Sequence, residues 1–115
     1  MKAAVTVKEN YVFRRIYRKG QSSVQPGLVV YCQKNRAGQS RLGVTVSKKL
    51  GHAVVRNRVR RRIREIYRLN LKKMKPGYDL VVVGRSRAVD ASYEKINGAF
   101  VRCLSQLGLL TEEKP

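Results

Sequence analysis

The chain has 115 residues, the length of one domain, and 43% of them are hydrophobic, enough for a modest core. Twenty-six Lys and Arg face seven Asp and Glu, a formal charge of +19. Such a charge repels itself in a compact chain unless a polyanion relieves it, which points to nucleic acid as the partner. No apolar run approaches the roughly 20 residues that span a bilayer. Trp is absent, which argues against a helix lying in a membrane surface, and the apolar stretch near Met1 is too short for a secretory signal. A soluble, cytoplasmic protein with no membrane partner is expected. Cys32 and Cys103 sit among apolar neighbours and read as small core residues, not as a disulfide framework.

The first element is a helix. Thr6-Val7-Lys8-Glu9 has the S/T-x-x-E form of a capping box, the helix runs to Lys19, and Gly20 supplies the stop. Val12 and Ile16 share one face, and Phe13 and Tyr17 form a second i, i+4 pair beside it. Residues 21–25 allow a short extra strand, and Pro26-Gly27 marks a turn. Residues 28–33 read as a strand with Leu28, Val30 and Cys32 on one side and Val29 and Tyr31 on the other. Residues 36–39 suit a hairpin tip. Residues 41–47 then alternate, Leu42, Val44 and Val46 inward and Gly43, Thr45 and Ser47 outward.

Residues 54–73 form a second helix, with Val55, Val59, Ile63 and Ile66 as its buried stripe. Lys75-Pro76-Gly77 ends it. Residues 79–84 contain an unbroken apolar run, as expected of a central strand covered on both faces. Ser92 can cap a last helix whose Ile96, Phe100, Leu104 and Leu107 recur at helical spacing. Tyr67 and Tyr93 read as core-edge residues. The expected fold is an α/β (α+β) two-layer sandwich with a mixed central sheet in αββαβα order. Residues 1–115 form a single domain, with 111–115 a frayed tail.

The most informative stretch runs from Ser47 to Arg64. Between positions 48 and 73 lie eleven Lys and Arg against one acid, Glu65, and six of the arginines fall between 56 and 64. At about 100° per residue, Asn57, Arg61, Arg64 and Arg68 share the face opposite the apolar stripe, and Arg58 and Arg60 border it. An ordinary solvated face would want Glu partners at i, i+4, and almost none exist. A ladder this unbalanced suits phosphates, and Arg suits them bidentately. His52, the lone histidine, reads as a polar loop residue.

Arg56-Asn57-Arg58-Val59-Arg60-Arg61 resembles the Arg-Asn-Arg signature of the bacterial ribonuclease P protein subunit. Val46-Ser47-Lys48-Lys49-Leu50-Gly51 precedes it at the family's spacing, and Phe13-Arg14-Arg15-Ile16-Tyr17-Arg18-Lys19-Gly20 and Tyr31 also match. The likeness extends from about Glu9 to Leu107. The N-terminal segment is less basic than in many members, and residues 33–41 are a short segment. The resemblance implies that the Arg-Asn-Arg helix lies in a left-handed βαβ crossover, against the usual rule. It implies one surface for the catalytic RNA, made by Lys48, Lys49, Arg56, Asn57, Arg58, Arg60, Arg61, Arg64 and Arg68. A second, a cleft at Phe13, Tyr17 and Tyr31, would take the 5′ leader of precursor tRNA. Without the resemblance, Phe13 and Tyr17 are more often core than platform. Single-stranded RNA does want stacking faces beside positive charge, and Lys8, Arg14, Arg15 and Arg18 lie near.

The acids form no pair suited to holding metal ions, and there is no His pair and no Cys-His set. A protein-only nuclease is disfavoured. In the family the RNA supplies the active site and holds Mg²⁺, so the expectation is an enzyme subunit with no catalytic or metal residue, no cofactor of its own and no obligate protein partner. A basic ribosomal protein shares size, charge and architecture and stays open as an alternative. A DNA-binding architectural protein would want a wedge residue or a symmetric dimer face, and neither is found.

Overall fold

The computed structural model describes residues 10–111. Helix α1 (Asn10–Lys19) leads into strands β1 (Gln21–Gln25) and β2 (Leu28–Lys34). Pro26-Gly27 turns the chain between the strands, Gly27 at a φ of 93° that favours glycine. Strand β3 (Arg41–Val46) passes through a 3₁₀ turn (Lys48–Leu50) into helix α2 (Ala53–Asn70). A second 3₁₀ turn (Leu71–Lys73) ends α2 three residues before the sequence pattern does. Strand β4 (Tyr78–Gly84), the short helix α3 (Arg87–Asp90) and helix α4 (Tyr93–Gln106) follow. Ser92 caps α4, its hydroxyl accepting from the Lys95 N–H at 3.2 Å. The Thr6–Glu9 capping box lies outside the described residues.

The sheet order is β1-β2-β4-β3. Strand β4 pairs antiparallel with β2 and parallel with β3, so β3, α2 and β4 form a crossover unit between adjacent strands. This corrects the expected hairpin at residues 36–39. Strands β2 and β3 are not neighbours, because the apolar run Leu80-Val81-Val82-Val83 takes the central place between them, where both its faces are covered.

One sheet face carries Leu28, Val30, Cys32, Leu42, Val46, Leu80 and Val82. Helices α2 and α4 close it with Val59, Ile63, Ile66, Phe100, Cys103 and Leu104. This is the α-on-β two-layer body. Val55, read as part of the stripe, is only half-buried, whereas Tyr67, read as an edge residue, is 1% exposed in the core. Across the opposite face lies α1, with Val12 and Ile16 on Val81. That cover is why Gly43, expected to point to solvent, is buried.

The charged centre of the sheet is Asp79, 1% exposed at the head of β4. Arg41 on β3 grips both its oxygens, Nε to Oδ1 at 2.7 Å and a terminal nitrogen to Oδ2 at 2.6 Å. Asn35 donates to Oδ1 at 2.8 Å, and the Arg15 guanidinium of α1 lies 4.0 Å from Oδ2. Asn35 also shapes the loop after β2. Its Oδ1 accepts from the N–H groups of Ala37 and Gly38, and its Nδ2 donates to the Gln39 carbonyl.

Two outcomes follow from this packing. A Cβ on Gly20 would lie 2.5 Å from the carbonyl oxygens of both Cys32 and Ile16, backbone atoms that cannot swing aside. Gly20→Ala is expected to lower stability by about 1–3 kcal/mol in a denaturant titration. Burial pushes the Tyr67 phenol up to about 12, with Ser40 opposing and Asp79 adding. Its hydroxyl makes no hydrogen bond of ordinary geometry. Burial likewise raises the Cys32 and Cys103 thiols. All three groups hold their protons longer in the folded chain. The stability they contribute is complete below the unfolded values and is lost as pH rises through the folded ones. Melting temperature should therefore fall from about pH 9 upward, and Tyr67→Phe should flatten the fall between about pH 10 and 12.

Candidate nucleic-acid interface

The basic segment begins where β3 ends. The Ser47 hydroxyl accepts from the Lys49 N–H at 3.1 Å and starts the 3₁₀ turn that leaves Lys48 and Lys49 exposed. Gly51 follows at a φ of 139°, and a Cβ there would meet Val55 Cβ at 3.3 Å, so a bare backbone is required. His52 stands at the N-cap of α2 without a side-chain capping bond, and its carbonyl accepts from the Arg56 N–H at 3.0 Å. The loop and the helix thus meet at a fixed angle.

Side chains of the arginine run divide into two groups. Arg56 Nε donates to the Gly51 carbonyl at 3.2 Å and ties the loop to the helix. Arg60 donates to Asn57 Oδ1 at 2.9 Å. Arg68 pairs with Glu65 at 2.7 Å, one helical turn before it. Arg58, Arg61 and Arg64 are exposed and make no hydrogen bond or ion pair among the described residues. With Lys48 and Lys49 they form the open cationic surface. Arg62 went unremarked in the sequence because it looks like its neighbours. It donates to the Ala91 carbonyl at 3.0 Å and fastens α2 to the segment that enters α4.

On the other sheet face, the structure brings Phe13, Tyr17 and Tyr31 together. The Phe13 and Tyr17 rings are 6.4 Å apart, and Tyr17 meets Tyr31 edge to face at 4.8 Å. Val12 and Ile16 seal α1 to the sheet, so the three rings are left at its flank. Tyr17 is 40% exposed, and Phe13 and Tyr31 are half-buried. Core rings would be enclosed; these offer edges and faces to solvent. Arg15 lies nearby, its Nε donating to Gln33 Oε1 at 3.1 Å. The arginine helix and the aromatic cluster thus stand on opposite faces of one sheet.

Among the described residues no group of three or more His, Cys, Asp or Glu could hold a metal ion, and the Asp79 carboxylate is already occupied by Arg41. A concavity of about 730 Å³ beside α3 and α4 is lined by both signs of charge, Asp90 and Glu94 with Arg87, Lys95 and Arg102. No helix among the described residues is long and apolar enough to cross a membrane.

Comparison with known proteins identifies the family. The sequence model of the Ribonuclease P family matches residues 1–108. The ribonuclease P protein component of Clostridium botulinum (strain Langeland) is 47% identical over 104 residues, which are 90% of this chain and 94% of the relative. That of Alkaliphilus oremlandii is 42% identical over 110 residues, 96% of each chain. Among solved structures, the Staphylococcus aureus RNase P protein superposes with a TM-score of 0.85 at 35% identity, covering 94% of this chain and 99% of that one. The Thermotoga maritima RNase P protein gives 0.77 at 29% identity, covering 84% and 92%. The ribosomal and DNA-architectural alternatives fall away: the chain belongs to the ribonuclease P protein family, the protein subunit of the endoribonuclease that matures the 5′ end of tRNA.

Proposed function

We propose that the subunit works through two separate RNA surfaces. The open face of α2, with Lys48, Lys49, Arg58, Arg61 and Arg64 at its centre and Arg56, Asn57, Arg60 and Arg68 bracing it, binds the catalytic RNA. The cluster of Phe13, Tyr17 and Tyr31 takes the single-stranded 5′ leader of precursor tRNA. The observation that carries the reading is the Tyr17–Tyr31 contact, a part-exposed aromatic pair on the sheet face opposite the arginines. One chain can then hold two RNAs without either displacing the other.

The chemistry at each surface is that of binding. Guanidinium and ammonium groups on α2 neutralise phosphates and release their counterions. Rings on the α1 flank stack on unpaired bases, which have π-faces whatever their sequence. The Mg²⁺ ions of the holoenzyme are assigned to the RNA in this reading, as the family resemblance implies. The proposed place of work is the cytoplasm.

The two surfaces give distinct readouts. Each of Arg58→Ala, Arg61→Ala and Arg64→Ala should lower the slope of log affinity against log salt for the catalytic RNA by roughly 0.7–0.9 of a unit per lost phosphate contact. An unchanged slope in the triple variant would reject the face. In the assembled holoenzyme, Tyr31→Ala should weaken precursor tRNA by about 1–3 kcal/mol per base that loses its stack. Mature tRNA, which has no leader, should bind as before. Equal losses for both tRNAs, measured beside a melt of the variant, would reject the cleft.

A further inference from the structure

The arginine face of α2 is not flat. On its flank toward α4, a groove of about 380 Å³ is lined by Arg58, Arg61, Arg62, Glu65 and Tyr93, within the lower part of the range of about 300–1,000 Å³ typical of small-ligand sites. Its floor is fixed. Tyr93 opens α4, half-buried and packed on the core, and Arg62 is held by the Ala91 carbonyl. Its polar wall is Glu65, the sole acid of α2, with its side chain 47% exposed and one oxygen held by Arg68.

That carboxylate is out of place on a surface for a duplex backbone, where it would face phosphate. It fits a base. An ionised carboxylate only accepts hydrogen bonds, so it selects a base edge that donates them. Guanine presents two adjacent donors, its N1–H and N2 amino group, to the two oxygens of one carboxylate. Cytosine and adenine present a single amino group. Tyr93 supplies the ring on which an unpaired base stacks, and the Arg62 guanidinium plane can serve beside it. Arg58 and Arg61 stand exposed at the rim, where the flanking phosphates would lie.

We propose that this groove holds one unpaired nucleotide, a guanine, extruded from the catalytic RNA. The proposal rests on the reading that α2 faces that RNA, and it adds a base-specific contact to a surface otherwise made for phosphate. The rim arginines supply affinity, and the Tyr93–Glu65 pair supplies register: an RNA whose charge fits the helix but whose guanine is misplaced would meet Glu65 with a phosphate or with nothing.

The test uses the full chain bound to the catalytic RNA, probed with kethoxal, which modifies unpaired guanines at N1 and N2. In the wild-type complex one such guanine should be protected. Tyr93→Leu should restore its reactivity and weaken binding roughly 5- to 100-fold, whereas Tyr93→Phe, which keeps the stacking ring, should behave as wild type. Glu65→Gln gives a test of sign on an exposed side chain that does not depend on the folding of the Tyr93 variant. If Glu65 is only a stray negative charge, removing it tightens RNA binding. If it reads guanine, binding weakens, and the penalty for replacing the protected guanine with adenine disappears. Tighter binding by Glu65→Gln, or kethoxal patterns unchanged in both Tyr93→Leu and Glu65→Gln, would overturn the proposal. Arg64→Ala, outside the groove, separates the two readings. If it weakens the RNA while the groove variants do nothing, the groove alone is wrong; if it too does nothing, the α2 face itself is wrong.

Discussion

The structure depends on one buried carboxylate. Asp79 sits at the head of the central strand with almost no solvent contact, a costly position for a charge unless it is paired and hydrogen-bonded. Arg41 meets it bidentately from β3, Asn35 from the loop after β2, and Arg15 approaches from α1. Four parts of the chain that are distant in sequence are thus fixed to one point. The loop after β2 needs this anchor, because it does not turn directly into its spatial neighbour but must carry the chain around β4 to β3.

Charge in this protein is allocated rather than merely abundant. Of the carboxylates described, Asp79 orders the sheet and Glu65 restrains Arg68. Arginines that lie close to backbone carbonyls spend their donors there: Arg56 on Gly51 and Arg62 on Ala91. What remains on α2 is a smaller set, Arg58, Arg61 and Arg64, set on a helix that cannot shift because its ends and flank are tied. A cationic face of this kind is presented at low entropic cost, since the helix does not have to order when a partner arrives.

Much of this was legible in the sequence, for identifiable reasons. Long periodic patterns marked α2 and α4, and the unbroken apolar run of β4 announced a central strand. The arginine stretch was visible as a whole. Its division into bracing and open side chains was not, because that depends on whether a carbonyl from another segment lies within reach, as Ala91 does for Arg62. The residues 36–39 misled because a local turn signal says nothing about which strand lies next door. Tyr67 was placed at the edge because a phenol usually keeps its hydroxyl wet, whereas here packing under the sheet overrides that preference. Helix α3 is four residues long, too short for periodicity to register. The i, i+4 pair Phe13 and Tyr17 reads more often as core than as platform, because spacing alone does not show that the two rings meet Tyr31 at a part-exposed flank.

The strand order has a consequence for how the chain comes into being. Only β1 and β2 pair with a near neighbour in sequence; β2 and β3 both find their partner in β4. During synthesis from the N-terminus, α1, the first three strands and α2 all emerge before residues 78–84, and until then neither face of the sheet can close. Pairings of such long sequence separation are slow to form, and the waiting apolar faces are open to wrong association. The nascent chain in that interval already carries the whole arginine helix, whose mutual repulsion keeps copies apart. The same charge that suits the finished subunit to RNA therefore also protects the half-made one on the ribosome.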